Sequence, residues 1–554
     1  MAAGARLPIP EPLPVLISPE KVSYSTSFPD KKLKAAPDRF GILLFAAALV
    51  AGLIYAGFQI ARDLSGIHLL SAWPYILLSL ALLIALGFEF VNGFHDTANA
   101  VATVIYTNSL QPNVAVVWSG IWNLIGVLTS SGAVAFTILS LLPVELILQV
   151  GKGPGFAMVF SLLIAAVVWN LSTWWLGLPS SSSHTLIGSI IGVGMANQWM
   201  NSRTGTSGVD WDQASTVFKV LLISPVIGFG CAALFLLILK VFVKDKALYE
   251  SPKGTEPPPL WIRALLVLTC TGVSFGHGSN DGQKGMGLIM LILIGTVPTA
   301  YALNHAVGYS QVQTFAAISA HAETVFDRHL TPAAPVPADP GAVLTNYIRT
   351  RQFAPETLAA TRQMIHQIST EVVLYKSLNK LPAAQQENVR NEMYIVSETL
   401  RLMAKNAGNH ATPVFTAAEN KDLGAYKKQL DHATKFIPPW VKVVVALALS
   451  LGTMVGWKRI VVTVGEKIGK QHMTYAQGAA AQIVAAVTIV GADQFHMPVS
   501  TTHVLSSGVA GTMSANGGGL QFSTIRNIAL AWIFTLPAAA LLSAGIFFFL
   551  RRFM

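Results

Sequence analysis

Phe90-Val91-Asn92-Gly93-Phe94-His95-Asp96-Thr97-Ala98-Asn99 sets an acid inside an apolar run, and Pro179-Ser180-Ser181-Ser182-Ser183-His184 follows downstream. The same pairing returns in the second half of the chain. Phe275-Gly276-His277-Gly278-Ser279-Asn280-Asp281-Gly282-Gln283-Lys284 supplies a second acid, and Pro498-Val499-Ser500-Thr501-Thr502-His503 a second hydroxyl segment. A polar segment duplicated within hydrophobic sequence is the mark of a transporter assembled from internal repeats.

The sequence around these stretches fits a membrane. Of 554 residues, 52% are hydrophobic and 12% charged, against about 25% charged in soluble domains. Several apolar runs reach the roughly 20 residues that a helix needs to cross a bilayer. They are continuous rather than alternating with period two, which excludes a transmembrane barrel. The chain reads as an all-α polytopic membrane protein with about ten to twelve membrane segments. A formal charge of +10 points to cytoplasmic loops and lipid head groups. The basic residues are dispersed among the spans, so nucleic acid is not a partner. Cys231 and Cys270 lie in apolar runs and read as small core residues, not as a disulfide or a metal cluster.

Organisation follows from the apolar runs. Residues 1–40 read as a disordered, Pro-rich tail with a basic patch, and 41–72 as a first span and loop. The first membrane repeat covers 73–243, with 73–106 as one discontinuous crossing broken at Asn92–Asp96. It continues with spans at 114–142 and 155–177, a re-entrant hairpin at the serine run, and a span at 216–243. A basic, Pro-rich connector occupies 244–260. The second repeat starts at 261–309, with its polar break at 277–284, and resumes over 437–554. Between these parts, 310–436 holds charges of both signs and reads as a soluble helical insertion. Ile365, Ile368, Val372 and Tyr375 form one helical stripe, and Val389, Met393, Val396, Leu400 and Met403 another, parted by Pro382. The insertion explains unequal spacing: Asp96 and His184 are 88 residues apart, Asp281 and His503 222.

A buried charge in a membrane costs about 2.5–3.5 kcal/mol on insertion scales, which makes Asp96 and Asp281 functional candidates. The competing reading is a structural ion pair, for example with Lys284. Glycines around both acids allow unwinding, which would expose carbonyls to a cation. With the amides Asn99 and Asn280, such a place suits a hard cation or a proton. Ser181, Ser182, Ser183, Ser500, Thr501 and Thr502 offer hydroxyl donors, and a helix starting there would aim free N–H groups the same way. That array suits a phosphate-like oxyanion; helix N-caps are the plainer alternative. His95 and His277 flank the acids as proton handlers, and Glu89 lies two helical turns from Asp96. His184 and His503 read as local hydrogen-bonding partners. Gly272-Val273-Ser274-Phe275-Gly276 matches a nucleophile elbow, but an intramembrane serine hydrolase would need a strand–turn–helix setting. Neither HExxH nor a Walker A pattern occurs, so the chain reads as a non-enzyme, with no cofactor and no assigned resident metal.

Gly93-Phe94-His95-Asp96-Thr97-Ala98-Asn99 and His277-Gly278-Ser279-Asn280-Asp281-Gly282-Gln283-Lys284 resemble the inorganic phosphate transporter (PiT) family, and within it the bacterial low-affinity Pit branch. The resemblance covers roughly 73–300 and 439–550. It implies inverted repeats and symport of inorganic phosphate across the inner membrane, with Ser181, Ser182, Ser183, Ser500, Thr501, Thr502 and Asn280 binding the oxyanion and Asp96, Asp281 and their neighbours handling the coupling cation. It also admits a homodimer. Sodium-coupled members carry Asn-Asp-x-x-Asn in both repeats, whereas this chain has His95 in the first and Lys284 in the second. That departure argues against sodium, and the resemblance to the Pit branch implies a proton as coupling ion, with phosphate carried as a neutral complex with a divalent metal. Sodium coupling, or sulfate or another tetrahedral oxyanion as substrate, are the alternatives.

Overall fold

The computed structural model describes residues 39–65, 73–96, 98–143, 147, 153–201, 208–330, 336–408 and 412–553. The tail reading of 1–38 lies outside them. Helix α1 (Arg39–Asp63) is mainly apolar between charged ends and mostly exposed, as a lipid-facing helix is. It precedes α2 (Trp73–Asp96), α3 (Ala98–Tyr106), α4 (Pro112–Thr129), α5 (Ala133–Leu139), α6 (Gly153–Trp175), α7 (Ser182–Met200) and α8 (Trp211–Phe242). The second half opens with α9 (Leu260–Thr296) and the single turn α10 (Pro298–Tyr301). Among the described residues, eight helices are long and apolar enough to cross a membrane.

Residues 309–434 carry α11 (Tyr309–His329), α12 (Pro340–Thr350), α13 (Glu356–Tyr375), α14 (Ala383–Lys405) and α15 (Ala417–Thr434). Ile365, Ile368 and Val372 on α13, and Val389, Met393, Val396, Leu400 and Met403 on α14, are buried in one apolar cluster shared with α11, α12 and α15. From α15 the chain turns by 70° into α16 (Pro439–Thr453). The short α17 (Lys458–Val462), then α18 (Tyr475–Gln494), α19 (Thr501–Ala515) and α20 (Phe522–Leu550), complete the chain.

Four expectations are corrected. The predicted break at 92–96 is helical to Asp96, and α3 resumes at Ala98. The predicted break at 277–284 lies inside α9, which is uninterrupted over 37 residues. The glycines there serve close packing rather than unwinding. A Cβ on Gly93 would sit 2.2 Å from the Leu449 carbonyl oxygen, and one on Gly278 2.2 Å from that of Asn123. Finally, the expected span 114–142 divides into α4 and α5, because Gly132 takes a left-handed φ of 84° after two serines. Cys231 is also exposed on α8 rather than buried in a core.

The two halves exchange partners. Acid-bearing α2 packs on α16 of the second half, and acid-bearing α9 on α4 of the first. The hydroxyl-capped helices do likewise: α7 packs on α20, and α19 on α8. Both α7 and α19 are buried over most of their length, and neither is among the eight spanning helices.

Candidate functional site

The exchange brings all four duplicated stretches to one buried centre. Ser181 and Ser500 cap the helices that follow them. Each side chain accepts the N–H three residues on, His184 at 3.2 Å and His503 at 3.1 Å. These two hydroxyls are N-caps, the plainer reading of the sequence. They start α7 and α19 inside the protein, where the first-turn N–H groups have no carbonyl partners within their own helix. The rings of His184 and His503 lie 4.4 Å apart, and His503 stacks on Trp532 at 4.1 Å. The two hydroxyl-bearing helix starts therefore meet each other.

The next hydroxyls reach the acids. Ser182 Oγ donates to Asp96 Oδ2 at 2.6 Å and lies 3.3 Å from Asp281 Oδ2. One hydroxyl proton serves one carboxylate at a time, so Ser182 stands between the two acids as a shared donor. Thr502, from the second half, donates to Asp96 Oδ1 at 2.6 Å. Ser183, from the first half, accepts from Lys284 Nζ and donates to the Val499 carbonyl at 2.9 Å. Each half thus serves the other half's acid-bearing stretch. Thr501 is buried with its hydroxyl unpartnered, leaving a donor at the centre.

The acids differ in their remaining partners. Asp96 Oδ1 meets His95 Nδ1 at 3.0 Å, and His95 Nε2 is 3.1 Å from Thr173 Oγ1. Asp281 Oδ1 is paired with the Lys284 ammonium at 2.8 Å, and its Oδ2 lies 3.6 Å from His277 Nε2. His277 Nδ1 is held by Asn123 Oδ1 at 2.9 Å. Glu89 accepts from Asn92 at 3.4 Å and lies against Gly285, where a Cβ would sit 2.3 Å from its Cγ. Asn280 is engaged elsewhere, donating to the Met497 carbonyl at 3.1 Å and accepting from Val499 N–H at 3.3 Å. Asn99 lies on α3, and its side chain falls outside the described set.

Among the described residues of the membrane portion, Glu89, Asp96, Asp281 and Lys284 are the buried side chains of formal charge. Three acids face one fixed cation. Carboxylate and imidazole atoms of Asp96, His277 and Asp281 lie within 4.8 Å of one another, a donor set able to take a divalent cation. Ser274, the candidate nucleophile, sits mid-helix in α9 and shares a 2.8 Å hydrogen bond with Ser119 Oγ, so no strand–turn elbow exists.

Sequence reasoning missed Asn123, Thr173 and Asp493. Asn123 and Thr173 lie in runs read only for their apolar length. Asp493 ends an apolar run, where an acid reads as interfacial.

The family model described as the phosphate transporter family matches residues 92–543. The low-affinity inorganic phosphate transporter PitA of Escherichia coli (strain K12) is 43% identical over 499 residues, covering 86% of this chain and 97% of its own. PitB of the same strain is 40% identical over 498 residues, with the same coverage. A solved structure titled "The sodium-dependent phosphate transporter" shares 18% identity and a TM-score of 0.47, covering 86% of this chain and 100% of its own. The relatives are transporters rather than enzymes, and the apolar helices are those of a multi-pass inner-membrane protein. This chain belongs to the phosphate transporter family, within its Pit branch.

Proposed function

We propose that the centre imports inorganic phosphate by symport, with protons as the coupling ion and a divalent cation travelling with the anion. One observation carries this reading: three buried acids against a single buried ammonium. An anion entering such a centre meets net negative charge, and uncompensated charge in a membrane interior is costly. Phosphate therefore enters only with positive charge beside it. Lys284 supplies one fixed charge, protons reach His95 and His277, and a divalent cation fits between Asp96, His277 and Asp281.

The remaining residues divide the work. Ser182, Thr501, Thr502 and the N–H groups starting α7 and α19 face the oxyanion. Because these donors are neutral, they hold an anion without a charge that would trap it. Asp96 takes the coupling cation, and Lys284 fills space that a second amide would leave to sodium. Asn280 acts from behind, fixing the segment that leads into Ser500.

Purified protein in proteoliposomes, supplied with labelled phosphate, tests this directly. Uptake should rise with an inward proton gradient and with added magnesium, and ignore a sodium gradient. Uptake driven by sodium alone would overturn the coupling assignment. Sulfate that competes as well as unlabelled phosphate would overturn the substrate.

A further inference from the structure

Asp493 stands outside the four duplicated stretches, yet it is tied directly to the acid helix. Ser279 Oγ donates to its Oδ2 at 2.8 Å, and Gln283 Nε2 to its Oδ1 at 2.6 Å. Ser279 and Gln283 are four residues apart, hence on one face of α9, and bracket Asp281 along the helix. Gln283 extends the contact: its Oε1 accepts the Val134 N–H at 2.9 Å, at the start of α5. Both Asp493 oxygens and both ends of the Gln283 amide are thus engaged in one hydrogen-bonded layer.

A water-facing cavity of about 530 Å³ lies beside that layer, bounded by Ser131–Ala133, His496, Arg401 and Lys428 among others. Ala133 directly precedes Val134, and His496 lies three residues beyond Asp493. The layer therefore lies near a cavity shared with the charged 310–436 segment, on the α9 face opposite to the one that carries Asp281. The same place in the first half is built differently. Two residues before the acid, Ser279 is matched by Phe94; ten residues before the hydroxyl-segment histidine, Asp493 is matched by Trp174. Phe94 and Trp174 meet edge-to-face at 5.2 Å, and Trp174 donates to the Gly456 carbonyl at 2.7 Å. One place is filled by apolar rings, the other by exchangeable hydrogen bonds.

We propose that Asp493 is a positioning residue of the transport cycle, whose carboxylate latches α9 at Ser279 and Gln283 and so holds the helix that carries Asp281. The latch opens when those donors exchange Asp493 for water, and the turn at 493–499, gripped also by Asn280, moves with it. This inference rests on the transport reading above.

The test uses full-length protein in proteoliposomes, with Cys231→Ala and Cys270→Ala as background and Val134→Cys as a thiol reporter behind the layer. Asp493→Ala should raise the rate of labelling by a charged maleimide about tenfold or more, the effect of losing hydrogen bonds to an ionised group. Phe94→Ala should leave that rate unchanged. Equal labelling with and without Asp493, or an equal rise with Phe94→Ala, would overturn the latch. A second arm covers misfolding of the alanine variant. Ser279→Cys/Asp493→Cys, cross-linked by an oxidant, should lose phosphate uptake and regain it on reduction; uptake that persists when cross-linked also overturns the proposal. Labelling that responds while wild-type protein takes up no phosphate would refute the transport reading and leave the latch standing.

Discussion

Asp96 and Asp281 sit in matching stretches, but one is held by hydroxyls and an imidazole and the other by a fixed cation. Asp96 receives hydroxyls from Ser182 and Thr502 and lies against His95. Asp281 is paired with Lys284 on its own helix. A carboxylate surrounded by hydroxyls and an imidazole keeps its charge free for a mobile cation. One already joined to an ammonium does not. The two stretches differ at His95 and Lys284, and on the proposed reading this divides the work: Asp96 would exchange the coupling cation, while Asp281 anchors Lys284.

The largest effect should come from removing either charge. Asp96→Asn and Asp281→Asn should each reduce proteoliposome uptake to background while the protein keeps its gel-filtration profile. Uptake at the wild-type level in both would break the assignment of the centre. Next, Lys284→Met leaves Asp281 buried without its partner, a change that costs roughly 3–5 kcal/mol in buried ion pairs. Its melting temperature in detergent should fall sharply, and adding Asp281→Asn should restore much of the loss. If the double variant is no more stable than Lys284→Met alone, the pair is not what holds Lys284.

Smaller effects sharpen the exchange between halves. Gly93→Ala and Gly278→Ala each push a Cβ to 2.2 Å from a carbonyl oxygen of the other half. Overpacking of this kind costs about 1–3 kcal/mol, and the two losses should be alike. A loss in only one variant would show that the matching contacts are not equivalent in strength.

The smallest effect concerns the 310–436 segment. Asp210, the N-cap of α8, takes Arg401 at 2.8 Å and Arg351 at 3.0 Å from that segment. Burial alone would raise its carboxyl, but Arg351, the Gln213 N–H and Arg401 outweigh burial and hold it below the usual carboxylate range. A depressed folded pKa stabilises above the unfolded value, about 3.9, and the contribution fades as pH falls through the folded value. Asp210→Asn keeps the cap and removes the charge. Melting temperature should drop by a few degrees at pH 7, and the difference from wild type should vanish in strong acid. A difference that persists there would assign the effect to the cap instead.

Much of the site was legible because its residues are chemically out of place. Acids and serine runs within apolar sequence stand out without any structure, and repetition marked which ones matter. Their roles were less legible. Glycines beside the acids suggested unwound backbone, yet Gly93 and Gly278 are where helices from opposite halves touch. Ser181 and Ser500 looked like their neighbours in sequence, and only the helix starts separate these caps from the hydroxyls that reach the acids. Asp493 ends an apolar run, and its link to Ser279 spans 214 residues, beyond any local pattern.

The sequence by itself determined that this chain is an all-α membrane protein with two acids and two hydroxyl segments, one of each in either half. Hydropathy and motif chemistry act over neighbouring residues and survive without coordinates. Tertiary structure decided that each half completes the other: Thr502 serves Asp96, and Ser183 serves Lys284. The physical reason is that a buried polar group must find its partner wherever packing delivers one. Here that partner is set by which glycine-faced helices can approach closely, a property of the assembled fold.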